Sequence, residues 1–216
     1  MAGRNKTPQP GVGVPDARRR NSNIAYHGLV LNSLPVDATT ALDVGCGEGM
    51  LCRRLAHRAG MRRVVGIDPD TPSIELARQQ SPGDSRITYL DRNFNDHGLA
   101  PASFDAVVSV ATLHHLDAEE ALTTMSGLLR LGGTLVVIGL ARSRLPRDLG
   151  WELLSALNYL PRRLLRRRWE HPSPTVWPPP HNYDELRSLS DRLLPGSRFR
   201  RHLQWRYSLV WTKPNG

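Results

Sequence analysis

Short apolar runs alternate with segments of helical periodicity through the first two thirds of the chain. Five runs rich in aliphatic residues predict buried strands, at 41–44, 63–68, 86–90, 103–110 and 134–139. Apolar residues recur at helical spacing around these runs, which predicts helices at 24–34, 49–59, 74–80 and 117–131. Alternation of strands and helices favours an α/β fold built on a largely parallel sheet.

The pattern changes after residue 140. An amphipathic stretch at 151–160 is followed by the arginine-rich stretch 162–168 and by a proline-rich loop at 172–180. A last helix is predicted over 183–194, with Asn182 as its cap and Glu185 in the position that completes a capping box. Beyond the turn at Pro195, the segments 198–203 and 206–212 predict a closing pair of strands around Gln204 and Trp205.

The glycine turn after the first strand carries the main chemical signal. Gly45, Gly47 and Gly49 stand at alternate positions between that strand and the next helix. Glycine accepts positive φ and lets a ligand approach the backbone closely. The dinucleotide fingerprint G-x-G-x-x-G needs a glycine where this chain has Met50, and Asp43 would repel a pyrophosphate but attract an ammonium or a sulfonium.

The pattern D-x-G-x-G-x-G over residues 43–49 resembles motif I of the class I S-adenosylmethionine-dependent methyltransferases. A second match is Asp68, which ends the second strand 19 residues after Gly49. A carboxylate there can accept hydrogen bonds from both hydroxyls of a ribose. The resemblance implies a Rossmann-like fold: a seven-stranded, mostly parallel sheet with helices on both faces and one antiparallel strand near the C-terminus.

The same resemblance implies S-adenosyl-L-methionine as the cofactor and assigns the residues that bind it. The glycine turn would hold the methionine part, Asp43 its ammonium and Asp68 its ribose. Two alignments stay open for the adenine amino group, which would meet either Asp91 or Asn93. The residues expected to bind the cofactor are Tyr26, Asp43, Gly45, Cys46, Gly47, Gly49, Asp68, Pro69, Asp91, Asn93, Phe94 and Val110. For Tyr26 and its neighbour His27, the alternative is simple packing of their helix on the sheet.

The residues that follow the fourth strand, 111–116, would face the transferred methyl group in this fold, and they include Leu-His-His-Leu at 113–116. Enzymes that methylate an adenine amine or a glutamine amide carry N/D-P-P-Y/F there, and this chain does not. The segment instead resembles small-molecule and ubiquinone-biosynthesis methyltransferases. His114 or His115 can serve as a general base, since histidine titrates near neutral pH. The alternative is that they cap the next helix or touch the cofactor through the backbone. No metal is expected.

Composition and charge bear on the domain organisation, the location and the partners of the protein. A chain of 216 residues with two cysteines suits one domain without a disulfide framework. The segment from Met1 to Asn23 lacks the apolar core of a signal peptide, so we expect a cytoplasmic protein with a disordered basic tail at 1–22 and a methyltransferase domain at 23–216. The net charge of +9 is compatible with an anionic partner, but its spread along the chain favours solvated basic faces.

The expected activity is therefore methyl transfer to a small-molecule acceptor. An RNA methyltransferase, a nicotinamide-dependent oxidoreductase and a non-catalytic cofactor-binding protein are the rivals, and a nucleic-acid partner is not expected. The segment 141–182 is expected to form a helical lid that selects the acceptor. Peripheral membrane contact through 151–169, or an ordinary amphipathic helix, are alternatives for part of that segment. The pattern leaves the oligomeric state open.

Overall fold

A seven-stranded sheet organises the protein in the computed structural model, which describes residues 23–144, 146–151, 153–155 and 177–215. The strands are β1 (Thr40–Val44), β2 (Arg63–Asp68), β3 (Ile87–Asp91), β4 (Phe104–Val110), β5 (Leu129–Leu140), β6 (Arg198–Arg201) and β7 (Arg206–Thr212). Their order across the sheet is β3-β2-β1-β4-β5-β7-β6. Strands β1 to β5 run parallel, and β7 runs antiparallel to both β5 and β6. The predicted fold class is confirmed.

Helices cover both faces of this sheet. They are α1 (His27–Ser33), α2 (Met50–Ala56), α3 (Thr71–Gln79), α4 (Ala118–Leu128) and α5 (Tyr183–Leu193). One apolar core joins α1, α2 and α3 to the sheet, and the other joins α4 and α5 to the opposite face. Neighbouring residues of one strand serve different cores: Ala41 belongs to the first and Leu42 to the second. This alternation follows from the two-residue period of a strand.

The boundary between α4 and β5 differs from the prediction. Helix α4 ends at Leu128, and the next residue, Leu129, already pairs with Phe104 of β4. Leu131, expected in the core of a longer helix, is 63% exposed. Gly132 lies inside β5 with φ at +75° and does not end the helix. The apolar residues of this segment are compatible with the period of a helix or of a strand, and pairing with β4 makes the segment a strand.

The carboxyl edge of the sheet gathers the ends of β1, β2, β3 and β4. Leu140, at the end of β5, is in register with Arg206 at the start of β7. The hairpin turn 202–205 therefore lies at this same edge. After β5, a bridge between Arg142 and Asn182 brings the chain to the start of α5, where Asn182 forms the predicted capping box.

At the opposite, amino edge, one carboxylate joins three strands. Asp105 Oδ2 accepts hydrogen bonds at 2.9 Å from the backbone N–H groups of Thr39 and Thr40, and Asp105 Oδ1 accepts one at 2.8 Å from Arg130. Burial alone would raise the pKa of Asp105, but these hydrogen bonds hold it below its usual range. The starts of β1, β4 and β5 are thereby held together.

The predicted tail 1–22 and the arginine-rich stretch 162–168 both lie wholly outside the described residues. Among the helices that can be described, none combines the length and the apolar character needed to span a bilayer.

Candidate functional site

The glycine turn is held tightly between neighbouring elements. Gly45 and Gly49 have φ values of +75° and +72°. A Cβ atom on Gly45 would lie 2.0 Å from Oγ1 of Thr112, and one on Gly49 would lie 2.3 Å from the hydroxyl oxygen of Tyr89. Real Cβ contacts are never this short, so both positions require glycine. The turn passes from β1 to α2 between the side chains of Thr112 and Tyr89, which leave no room for a Cβ at Gly45 or Gly49.

Asp68 closes the other side of this turn. Its Oδ2 accepts a hydrogen bond at 2.8 Å from the backbone N–H of Gly47, and its Oδ1 accepts one at 2.9 Å from the N–H of Asp70. Asp91, at the end of β3, lies directly opposite Asp68 in the sheet register and is exposed. Pro69 is also exposed. Gly47, Asp68, Pro69 and Asp91 thus meet at the open carboxyl edge of the sheet.

Asp43 lies beneath the turn. Its side chain is 2% exposed, and the Cys52 thiol donates to its Oδ2 at 3.4 Å. Burial raises the pKa of Asp43 to about 7, and the charge of Asp68 acts in the same direction. Cys46 is also buried, and its pKa is raised. The predicted contact of Asp43 with a cofactor ammonium stays a prediction.

The remaining predicted cofactor residues spread outwards from this edge. Asn93 is exposed and its Oδ1 accepts from the backbone N–H of Asn95 at 3.1 Å, whereas Phe94 is packed in the core. Both alignments for the adenine contact therefore stay open. Val110 ends β4, next to Thr112 and Gly45. The ring centroid of Tyr26 lies 5.4 Å from that of His202, so Tyr26 packs against the β6–β7 hairpin.

The two predicted catalytic histidines form a short 3-10 turn after β4. Their ring centroids are 4.0 Å apart. His114 is 8% exposed, and burial lowers its pKa to about 4, with the charges of His115 and Arg206 acting in the same direction. His115 is more exposed; burial lowers its pKa while the charge of Asp68 raises it. Asp117 caps α4, so neither histidine has that role.

Three residues at this site were not among the predicted cofactor or catalytic residues. Tyr89 and Thr112 pack against the glycine turn, and Arg206 is buried close to Tyr26, Tyr183 and His114. Burial lowers the pKa of Arg206 to about 10. An aromatic residue inside a strand is normally assigned to the core, and the sequence gives no signal that an arginine at the start of β7 is buried.

Comparison with known proteins points to the part of the chain that carries the glycine turn, Asp68 and the histidine pair. Residues 42–137 match the methyltransferase domain family. An uncharacterized methyltransferase of Mycobacterium tuberculosis is 38% identical over 195 residues, which is 90% of this chain and 97% of the relative. A crystal structure of an S-adenosylmethionine-dependent methyltransferase from Aquifex aeolicus has the same fold, with a TM-score of 0.60, 16% identity, and coverage of 86% of this chain and 88% of the other.

Two further relatives match over about half of the chain and carry different acceptors in their names. A tRNA U34 carboxymethyltransferase of Methylococcus capsulatus is 33% identical over 54% of this chain and 36% of its own. A ubiquinone biosynthesis O-methyltransferase of Sinorhizobium medicae is 32% identical over 50% of this chain and 44% of its own. The matched part corresponds to about half of the chain in each case.

Proposed function

The chain belongs to the class I S-adenosylmethionine-dependent methyltransferases, and from that premise we propose that its acceptor is a small molecule. S-adenosyl-L-methionine is its cofactor and methyl transfer its reaction. The observation that carries the proposal is the histidine pair at the end of β4, one ring buried and one exposed, in the place where enzymes acting on adenine or glutamine carry a different motif. A cytoplasmic location is part of the same proposal.

The described residues fit this cofactor. The backbone of Gly45 and Gly47 is partly exposed at the edge of the sheet, and Asp68 offers two carboxylate oxygens beside it. These backbone bonds hold the carboxylate, and its oxygens keep further lone pairs that can accept from ribose hydroxyls. When bound, the cofactor supplies a methyl group attached to a positively charged sulfur. The chain aligns the acceptor with that methyl and excludes water.

The histidine pair can accept the proton that an acceptor hydroxyl or amine releases. Lowered pKa values keep His114 and His115 neutral at neutral pH, so their ring nitrogens stay available as proton acceptors. The Nδ1 atom of His114 is buried and accepts no hydrogen bond among the described residues. Either ring can serve as the base, and we assign the role to the pair.

Transfer of isotope-labelled methyl groups tests the acceptor class. The purified protein is incubated with labelled S-adenosylmethionine and with the low-mass, RNA and protein fractions of a cell extract. We expect label in the low-mass fraction, where mass spectrometry identifies the product. Asp68→Ala should incorporate much less label and serves as the control. Label confined to RNA or to protein would overturn the small-molecule proposal.

An RNA acceptor is the second candidate, because the chain is basic and one partial relative is named for tRNA. RNA binding that depends on phosphate contacts weakens steeply as salt rises. Filter binding of bulk tRNA between about 50 and 200 mM salt therefore separates the candidates. Tight binding with a steep salt slope favours RNA, and weak binding at every salt concentration favours a small molecule.

The segment 141–182 is proposed as a lid that covers the acceptor side. Its described part is fixed at the edge of the sheet: Asp148 pairs with Arg201 at 2.6 Å, and the Ser155 hydroxyl accepts from the N–H of Gln204 at 3.2 Å. Trp151 is 41% exposed and Leu153 58% exposed. Most of the stretch 151–169, for which membrane contact was an alternative, lies outside the described residues.

A further inference from the structure

A cavity of about 320 Å³ opens at the carboxyl edge of the sheet, between the end of β5 and the β6–β7 turn. We propose that it binds a flat, apolar molecule carrying one anionic group, and that this molecule is the methyl acceptor. This inference rests on the proposed function. The wall residues that decide the chemistry are Arg142, Leu149, Trp177 and Trp205.

The walls suit a flat apolar body. The rings of Trp177 and Trp205 meet edge to face, with centroids 5.2 Å apart and planes at 81°. Leu149 is 51% exposed and Trp177 is 55% exposed, so both present apolar surface that a ligand can cover. Covering such surface stabilises a complex by roughly 25 cal/mol per Å². Aromatic walls at this angle favour an aromatic or similarly planar ligand.

Trp205 is held in place before any ligand arrives. It and Gln204 have φ values of +58° and +61°, a left-handed conformation that is strained for a residue other than glycine. Two hydrogen bonds hold the turn: the N–H of Ala141 donates to the carbonyl oxygen of Trp205 at 3.0 Å, and that of Gln204 donates to Ser155. A strained residue that is fixed from both sides is typical of a preorganised site.

The charge at the cavity comes from Arg142. Three neighbouring arginines are already paired: Arg144 and Arg147 with Asp184, and Arg201 with Asp148. Arg142 is exposed, and its guanidinium has no ion pair within the described part of the chain. Its backbone is fixed, because its N–H donates to the carbonyl oxygen of His181 at 2.8 Å. A guanidinium beside apolar walls favours a carboxylate or phosphate on the ligand.

The cavity lies on the acceptor side of the site. His181, which accepts from Arg142, borders a narrow depression together with His114, Leu140 and Tyr207. The depression that His114 borders is therefore linked to the cavity through the backbone hydrogen bond between Arg142 and His181. The ribose-binding carboxylate belongs instead to β2, three strands away from β5 in the sheet. A ligand in the cavity can reach toward the histidines without occupying the cofactor's place.

Binding without turnover tests this assignment. Isothermal titration calorimetry on the full chain, saturated with S-adenosylhomocysteine, compares 3-hydroxy-2-naphthoate with 2-naphthol, which has the same rings without the carboxylate. The variants are Arg142→Gln, which removes the charge, and Trp177→Ala, which removes an apolar wall. Arg62→Gln is the matched control, since Arg62 is an exposed arginine at the amino edge of the sheet.

We expect the naphthoate to bind the wild type at least tenfold more tightly than the naphthol. Arg142→Gln should lose about tenfold for the naphthoate only, Trp177→Ala should weaken both ligands, and Arg62→Gln should change neither. S-adenosylhomocysteine affinity should be the same in all four proteins. The cavity assignment is overturned by a wild type that does not bind the naphthoate, or by an Arg142→Gln variant that binds it normally. Failure of the proposed function has a different signature, namely label transfer to RNA or protein while the naphthoate still binds.

Discussion

Two carboxylates near the glycine turn have opposite surroundings. Asp68 lies at the open edge and accepts two backbone hydrogen bonds, whereas Asp43 is buried against a thiol. The position of Asp68 could be predicted, because its distance from the glycine turn is a property of the sequence. The burial of Asp43 could not, since it depends on how α2 packs over β1 and places Cys52 beside it.

Asp68→Ala should weaken S-adenosylhomocysteine binding by roughly 1.5–3 kcal/mol, the value of hydrogen bonds to a charged acceptor. The fold should survive, because Asp68 is partly exposed and outside both cores. Calorimetry gives the dissociation constant, and circular dichroism checks the fold. Glu75→Ala is the control, since Glu75 is an exposed acid on α3. An unchanged dissociation constant in Asp68→Ala would remove Asp68 from the cofactor site.

A cofactor ammonium that pairs with Asp43 should displace the proton held there, because the pKa of Asp43 is raised to about 7. Affinity for S-adenosylhomocysteine should then rise with pH between about 6 and 8, by up to about tenfold per unit below that pKa. Calorimetry in buffers of different ionisation enthalpy counts the released proton. Asp43→Asn should show neither effect. Wild-type affinity that is independent of pH would contradict the predicted contact.

Among the elements, the segment after β5 makes several of its contacts with one residue of β6, Arg201. The Arg201 guanidinium pairs with Asp148 and lies 3.9 Å from the ring centroid of Tyr183 and 5.0 Å from that of Trp151. Local pattern was enough to predict β1, β2 and β4 as apolar runs. It failed where α4 passes into β5, because a long-range pairing decides that boundary, and it gave no sign that Arg201 anchors the segment.

Replacing residues 143–180 with a short Gly/Ser linker should leave cofactor affinity within about tenfold, because the predicted cofactor residues all precede Leu140. Methyl transfer to the native acceptor should be lost, since acceptor selection belongs to the connecting segment. The variant also carries Arg201→Gln, so that no half-buried charge is left without Asp148. Full-length Arg201→Gln is the control. A linker variant that transfers methyl at the wild-type rate would contradict the lid.

Across the whole molecule, two buried groups give opposite dependences of stability on pH. His114 has a folded pKa of about 4, so the folded state binds fewer protons than the unfolded state between about pH 4 and 6.5. The contribution of His114 to the free energy of unfolding is present above that pH window and is lost on acidification. Asp43, with a pKa of about 7, binds more protons when folded between about pH 4 and 7, so its contribution is lost as pH rises. The two effects largely cancel.

Single variants should separate these contributions, each of the order of 3 kcal/mol at about 1.4 kcal/mol per pKa unit. Relative to the wild type, Asp43→Asn should gain free energy of unfolding as pH rises from about 4 to 7. His114→Gln should gain it as pH falls from about 6.5 to 4. Urea denaturation at several pH values measures both. Parallel pH profiles for the wild type and both variants would contradict the buried states of these groups.

The carboxylate of Asp105 has a consequence for local opening. It binds the first backbone N–H groups of β1 together with Arg130 of β5, so three central strands can separate at the amino edge only if these bonds break together. Amide hydrogens there should exchange with solvent only through global unfolding. At the carboxyl edge, Asp68 joins only the turns that follow β1 and β2, through the N–H groups of Gly47 and Asp70. The sheet is therefore held closed at its amino edge, whereas its carboxyl edge is able to admit ligands.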